Sequence, residues 1–182
     1  SEFVNQLAIA ITTVVFNRSA LLFAGEDGVA AVSIIMYLQF LCIGIYFGFS
    51  MGLSTPLGYA YGDRNFSVCR VLEKYAYRFF SIAPIILYGC TYLLAPIGVR
   101  FFASPGSTVF DMAVSGLRLY GLGFLFSGIN IFAAIRMMTY GKGYISGMIT
   151  FLRSFALLLL FLTILPRFLE LNGIWLAVPG AE

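Results

Sequence analysis

Long apolar runs alternate with short polar breaks along the whole chain. Five runs reach the length of about 20 residues that a helix needs to cross a bilayer: roughly residues 3–24, 29–61, 70–102, 111–139 and 144–165, with a sixth starting near Asn172. The runs are apolar at odd and even positions alike, which does not fit the alternating strands of a membrane barrel. Helices also satisfy every backbone group in hydrocarbon. The pattern predicts an all-α integral membrane protein, a polytopic transmembrane helix bundle.

Composition supports a lipid environment. Hydrophobic residues make up 60% of the chain and charged residues 10%, with a mean hydropathy of +0.94. Soluble domains average about 45–50% hydrophobic residues and about 25% charged residues. The net charge of +3 comes from bases that are spread singly, so we expect no nucleic-acid partner. The chain contains no histidine, which excludes His-based metal sites and His general bases within it. The three cysteines lack metal-site spacing, and no metal site is predicted.

The distribution of basic residues predicts the orientation. The first polar break is acidic, with Glu26 and Asp27. The positive-inside rule therefore places the second and fourth breaks in the cytoplasm, because bases concentrate around them: Arg64, Arg70, Lys74 and Arg78 at the second, Arg136, Lys142 and Arg153 at the fourth. The spacing of Arg70, Lys74 and Arg78 puts three bases on one helical face. Such a face suits anionic headgroups or is simply solvated.

Polar side chains within the spans point to the protein interior. Gln6, Thr13 and Asn17 share one face of the first helix, which should face a wet cavity or other helices rather than lipid. Cavity lining and interhelical hydrogen bonding remain equally open for this stripe, and Gln39 is a weaker candidate of the same kind. On the fourth helix, one face carries mostly small residues at helical spacing: Gly116, Gly123, Ser127, Asn130 and Ala134. We interpret this face first as a close-packing seam across which Ser127 and Asn130 can hydrogen-bond, and both are also candidates for lining a substrate cavity.

Gly44, Gly48 and Gly52 form a ladder of small residues on the second helix. Such a ladder lets another helix approach closely. Pro56 removes the backbone bond to Gly52, so a kink or hinge is expected nearby. Plain helix packing is the first interpretation of this segment, and a gating role is the second.

No acidic residue lies at the centre of a span. Ion relays in transporters usually need an intramembrane carboxylate, so the ion-coupling candidate in this chain is Glu2, near the start of its span. Alternatively, the principal carboxylate lies elsewhere in a longer protein. The apolar runs at both ends look cut, and we therefore expect the chain to be a fragment.

Several stretches resemble the multidrug and toxic compound extrusion (MATE) family. The run STPLGYAYGDRN at residues 54–65 is similar to a helix-end motif of that family, and NGIWLAVPGAE at residues 172–182 to its last-helix signature. The opening SEF, then Phe16-Asn17, and the later VAA at residues 29–31 are similar to the start of its second half. The match covers essentially the whole chain in order.

The resemblance implies that residues 1–182 form one lobe of a twelve-helix, two-lobe antiporter: helices seven to eleven and the start of twelve, with the N-terminal lobe absent. Such proteins export organic, often cationic, compounds across the cell membrane in exchange for Na⁺ or H⁺, without another cofactor, by alternating access. Expected partners are drug-like molecules, the lipid bilayer and the missing lobe. A bacterial inner membrane is the expected location.

The chain departs from the family pattern at two positions. Family members often have Asn where Ala60 stands, and some carry an acidic residue where Ser127 aligns. These departures favour a coupling carboxylate in the missing lobe and leave the choice of Na⁺ or H⁺ open. Aromatic faces for a cationic substrate are expected from Phe16, Tyr37 and Tyr46.

The alternatives to an exporter are a flippase, an intramembrane enzyme and a purely structural or receptor role. Composition leaves the last of these open, although the small-residue seams and the hinge proline fit a moving bundle better. A lipid-linked oligosaccharide flippase shares this architecture but would be expected to have a more basic central cavity, and only Arg118 is a plausible inward-pointing base. An intramembrane enzyme would need converging acids or a nucleophile with its base, and the sequence shows neither. We therefore expect a transporter and not an enzyme.

Overall fold

The computed structural model describes the backbone of residues 2–182 and the side chains of residues 10–182, and all regular elements in that range are helical. The predicted all-α membrane fold is confirmed. The helices are α1 (Glu2–Gly62), α2 (Phe66–Arg100), α3 (Thr108–Tyr120), α4 (Phe124–Thr139), α5 (Gly143–Phe151), α6 (Leu158–Ile164) and α7 (Pro166–Ala181). A 3₁₀ turn, Gly121–Gly123, joins α3 to α4, and a π-helical segment, Leu152–Leu157, joins α5 to α6. Within residues 10–182, four helical stretches are long and apolar enough to cross a membrane: Ala10–Gly62, Phe66–Arg100, Thr108–Thr139 and Gly143–Ile164.

Helix α1 is divided by a sharp break at Gly25. This residue has φ 63° and ψ −153°, a conformation that glycine adopts without steric cost. The break separates limb 1 (residues 2–24) from limb 2 (residues 26–62), and each exceeds the length of about 20 residues required for a span. The predicted boundary between the first two apolar runs is therefore confirmed, although the polar residues after Gly25 are already helical.

The other breaks are capped by residues suited to them. The Asn65 side chain accepts a hydrogen bond from Val68 N at 3.3 Å, and Ser107 Oγ accepts one from Phe110 N at 3.2 Å. These bonds satisfy backbone donors that have no partner at a helix N-terminus. Gly106 and Gly141 have φ of 87° and 73°, which turns the chain before α3 and after α4.

The stretch formed by α3, the 3₁₀ turn and α4 is the centre of the bundle. Half of the residues in its most apolar segment are buried, compared with 6% in the corresponding segment of Gly143–Ile164. Helices α1, α2 and α7 surround it, and the core contains the fully buried side chains of Phe124, Phe132 and Trp175. Its predicted continuity is interrupted only by the 3₁₀ turn.

Small residues allow the close packing around this central stretch. A Cβ on Gly116 would lie 2.8 Å from Ile35 Cδ1 and from Trp175 Cε2, and a Cβ on Gly128 would lie 2.7 Å from Phe80 Cδ1. Glycine is therefore required at both positions for the neighbouring helices to approach this closely. The close packing predicted at Gly116 is confirmed, and Gly128 is a further close-packing position that the predicted seam did not include.

The outer surface is strongly apolar. Leu22, Phe40 and Leu93 are each more than 70% exposed, and many other large apolar side chains are exposed with them. Contiguous apolar surface of this extent is not tolerated in water. It is the surface expected of a helix bundle surrounded by lipid.

The glycine ladder on limb 2 does not pack inside this bundle. A Cβ on Gly44, Gly48 or Gly52 would meet no described atom within 4 Å. No described residue covers this face of limb 2. Periodicity shows which glycines share a face but not what covers that face, so the packing role of the ladder stays a prediction. Pro56 lies within helical backbone, and Gly25 instead has the non-helical dihedral angles. A hinge near Pro56 stays a prediction.

Candidate interior polar site

A buried carboxylate, Glu182, is the centre of a polar cluster inside the bundle. Both of its side-chain oxygens lie 3.0 Å from Arg153 Nη1. Ser127 Oγ lies 2.7 Å from Oε1, and Asn130 Nδ2 donates to Oε2 at 3.0 Å and to the Glu182 backbone oxygen at 2.6 Å. The exposed fractions of the Arg153 and Glu182 side chains are 17% and 8%. The cluster joins three helical stretches through one carboxylate.

Local backbone features bring these side chains together. Helix α7 is broken at Glu170, with φ 51° and ψ −129°, and its remaining part packs against the central stretch. Gly123, in the 3₁₀ turn, makes this close approach possible because it has no side chain. A Cβ at this position would lie 3.3 Å from Val178 Cγ1 and 3.4 Å from Pro179 N. Arg153 lies in the π-helical segment, a geometry often found at functional sites.

The cluster is arranged to hold charge in apolar surroundings. A lone ion in the membrane interior is costly, and pairing with hydrogen bonds lowers that cost. Ser127 Oγ is also 2.8 Å from the Gly123 carbonyl oxygen, so its single proton can serve either the carboxylate or the backbone. The carboxylate therefore has one ionic partner, Arg153, and two neutral donors. Of these donors, Ser127 can release the carboxylate without leaving its own proton unpaired.

The two fourth-helix candidates, Ser127 and Asn130, are brought together here, and their predicted interhelical hydrogen bonds are confirmed. Their partner Glu182 was missed, because in the sequence it appeared only as the last residue of a signature. The signal available in the sequence was Arg153 inside an apolar run, since a base in such a position needs a nearby acid.

Other predicted polar residues also form contacts between helices. Gln39 accepts a hydrogen bond from the hydroxyl of Tyr120, which links limb 2 to α3. Tyr46 is fully buried and donates to the Phe124 carbonyl oxygen at 2.9 Å. Phe16 is 3% exposed and lies in the core. The expectation that Phe16 and Tyr46 offer aromatic faces to a substrate is therefore not met in this conformation, because both are covered by packed neighbours.

Limb 1 carries the polar stripe for which a cavity-lining role is predicted. Asn17 lines an open cleft of about 570 Å³ together with Arg18, Glu26 and Ser33. Thr13 is half-buried on the same limb. Gln6 and Glu2 lie among the residues whose side chains are not described, so the interpretation of the polar stripe as cavity-lining stays a prediction for them.

Two further side chains are relevant to the expected functions. Tyr37 is 64% exposed and stacks on Phe102, with ring centroids 5.9 Å apart, and its role toward a substrate stays a prediction. Arg118, the base required by the flippase alternative, is half-buried, donates through Nε to the Tyr92 carbonyl oxygen at 3.3 Å and lies 4.8 Å from that tyrosine's ring centroid. Arg118 therefore already has partners within the bundle.

The sequence comparison decides the family. The MatE family profile matches residues 3–165, which is most of the chain. The chain belongs to the MatE family. A comparison with curated proteins found no significant match.

Solved MATE structures share the fold of this chain. An outward-facing multidrug resistance MATE transporter of the MOP superfamily matches 98% of this chain with 40% of its own, at 23% identity and a TM-score of 0.87. An inward-facing transporter of the same description aligns with 97% of this chain over 41% of its own length, at 22% sequence identity and a TM-score of 0.88. A third structure is a MOP superfamily transporter from Pyrococcus furiosus, described as having a binding pocket of reverse polarity. It aligns with 98% of this chain over 40% of its own length, at 22% sequence identity and a TM-score of 0.87. This chain thus spans about two fifths of the length of these transporters.

Proposed function

We propose that this chain is the C-terminal lobe of a cation-coupled multidrug exporter that works by alternating access. Membership in the MatE family carries the proposal, and the likeness to two multidrug resistance transporters supports it. The lobe resembles outward-facing and inward-facing relatives equally well, with TM-scores of 0.87 and 0.88. A lobe that keeps its internal fold in both states suits a mechanism in which two lobes rock as rigid bodies.

The chemistry of the lobe suggests how it contributes. Asn17 on its open cleft and the exposed Tyr37 ring supply polar and aromatic contacts for an organic cation. The Glu182 carboxylate, with its arginine partner and two neutral donors, is the ion-responsive group that we propose for this lobe. A proton or Na⁺ that reaches this carboxylate would weaken its attraction to Arg153 and loosen the contact between α7 and the π-helical segment.

The test uses the intact parent protein in sealed vesicles. A sodium gradient and a proton gradient are imposed in turn, and efflux of several cationic drugs is followed. Drug movement driven by either gradient supports the exporter and identifies the ion. Failure of both gradients to move any drug would refute the proposal and leave the lipid-linked oligosaccharide flippase as the next function to assay.

A matched pair of variants tests the cleft. Asn17→Ala should slow efflux of at least some drugs, because it removes a polar group from the cleft. Val14→Ala, on the same limb but 66% exposed, should leave efflux unchanged. Equal transport by both variants and the wild type for every drug would remove Asn17 from the binding site.

A further inference from the structure

Three bases follow one another along an exposed face of α2. Arg70, Lys74 and Arg78 are each four residues apart and exposed, and they line a shallow cleft of about 450 Å³ whose other residues include Ser81 and Ile82. Residues spaced by four share a helical face, so the three positive charges form one continuous strip.

The acidic residue nearest to this strip is already engaged. Glu73 Oε1 accepts hydrogen bonds at 2.5 Å from Arg136 Nε and from the Tyr140 hydroxyl. Its charge is therefore directed toward α4. Among residues 10–182, none of the three strip bases has an acidic oxygen within the 4.0 Å of an ion pair, and the strip keeps its positive charge.

The same face continues directly into an apolar surface. Ile82, Ile85 and Ile86 are 60%, 66% and 59% exposed. Ser81 lies between the basic strip and the isoleucines. Its hydroxyl donates to the Tyr77 carbonyl oxygen at 2.7 Å, so it presents no free donor at this boundary. A cationic head region above an exposed aliphatic stripe matches the shape and chemistry of a lipid with an anionic head.

The length of α2 agrees with this placement. Its 35 residues extend about 52 Å at about 1.5 Å per residue, well beyond the hydrocarbon thickness of about 30 Å. The first turns of the helix therefore extend into the headgroup layer while the isoleucines remain among acyl chains.

We propose that this face of α2 binds an anionic phospholipid. Arg70, Lys74 and Arg78 hold the phosphate and headgroup, and Ile82, Ile85 and Ile86 contact an acyl chain. A free phosphate would contact only the three bases, whereas a lipid would also contact the isoleucines through its acyl chain. The inference does not depend on the transported substrate and can be tested without a transport assay.

The experiment measures phospholipid binding to the intact parent protein by native mass spectrometry. Phosphatidylglycerol and phosphatidylcholine with the same acyl chains are titrated against the wild type. Three bases are neutralised together in R70Q/K74Q/R78Q, and the matched control R100Q/K142Q/R167Q removes three exposed bases elsewhere. Attraction of each base to an anionic membrane surface corresponds to about a fivefold change in affinity, so the first variant should lose about a hundredfold for phosphatidylglycerol and the control much less.

Each outcome decides the proposal. Preference for phosphatidylglycerol over phosphatidylcholine that is lost only in R70Q/K74Q/R78Q supports it. Equal affinity for the two lipids, or equal loss in both triple variants, overturns it, and would indicate general surface charge or coverage of this face by other parts of the protein. Competition by inorganic phosphate as strong as that by the lipid would also overturn it, since the site would then hold a free anion. The single substitution Lys74→Gln, at an exposed position, repeats the test and should lower the affinity for phosphatidylglycerol about fivefold.

Discussion

The pair formed by Arg153 and Glu182 offers the sharpest test of the interior site. Both charges are largely buried, and the guanidinium nitrogen lies 3.0 Å from each carboxylate oxygen. At that distance the attraction is about 5 kcal/mol with an effective dielectric constant of about 20, and removal of one partner from a buried pair typically costs about 3–5 kcal/mol. We therefore expect a large loss of stability from either single substitution.

The two single substitutions should differ in size. Glu182→Gln leaves a buried guanidinium that cannot lose its charge. Arg153→Met leaves a carboxylate that keeps its hydrogen bonds from Ser127 and Asn130. Glu182→Gln should therefore cost more, about 4 kcal/mol against about 2–3 kcal/mol.

A double-mutant cycle measures the coupling between these two residues. The free energy of unfolding of the intact protein in micelles is determined for the wild type, both single variants and Glu182→Gln/Arg153→Met. Because the double variant leaves no unpaired charge, it should be more stable than the sum of the single effects predicts by about 2–3 kcal/mol. Strictly additive losses would show that the two side chains do not interact in the membrane, and the argument for the cluster would fail.

The remaining predictions concern packing and the polar contact between α2 and α4. Gly173→Ala should destabilise the protein by about 1–3 kcal/mol, because the new Cβ would lie 2.4 Å from the backbone of Leu165, whereas Gly48→Ala, with open space around it, should be neutral or stabilising by up to about 1 kcal/mol. Equal thermal stability of the two variants would contradict this contrast. Burial, with the hydrogen bond to Glu73, raises the pKa of Tyr140 to about 12 from its usual value of 10. Tyr140 should therefore contribute stability below about pH 10 that is lost as the pH rises through 12, and Tyr140→Phe should remove this part of the alkaline loss measured by unfolding at each pH. An unchanged alkaline profile in the variant would count against this contact.

The spans and their boundaries could be predicted from the sequence because they depend on local properties. A run of about 20 apolar residues is sufficient to define a membrane helix, and the acidic pair Glu26 and Asp27 marked the break between the first two runs. The packing face with Gly116 and Ser127 was also predictable, since small residues at helical spacing form a continuous groove. The motifs near residues 54–65 and 172–182 pointed to the family by their residues alone.

What covers each helical face was decided by the tertiary structure. Periodicity grouped Gly44, Gly48 and Gly52 correctly, but their face is open, while Phe16 and Tyr46 are covered by packed neighbours. The pairing of Glu182 with Arg153 depends on a break in α7 and a π-helical segment that carry no clear sequence signal. Local sequence specifies which side chains share a face, whereas contacts between residues far apart in the chain depend on how the helices are arranged around one another.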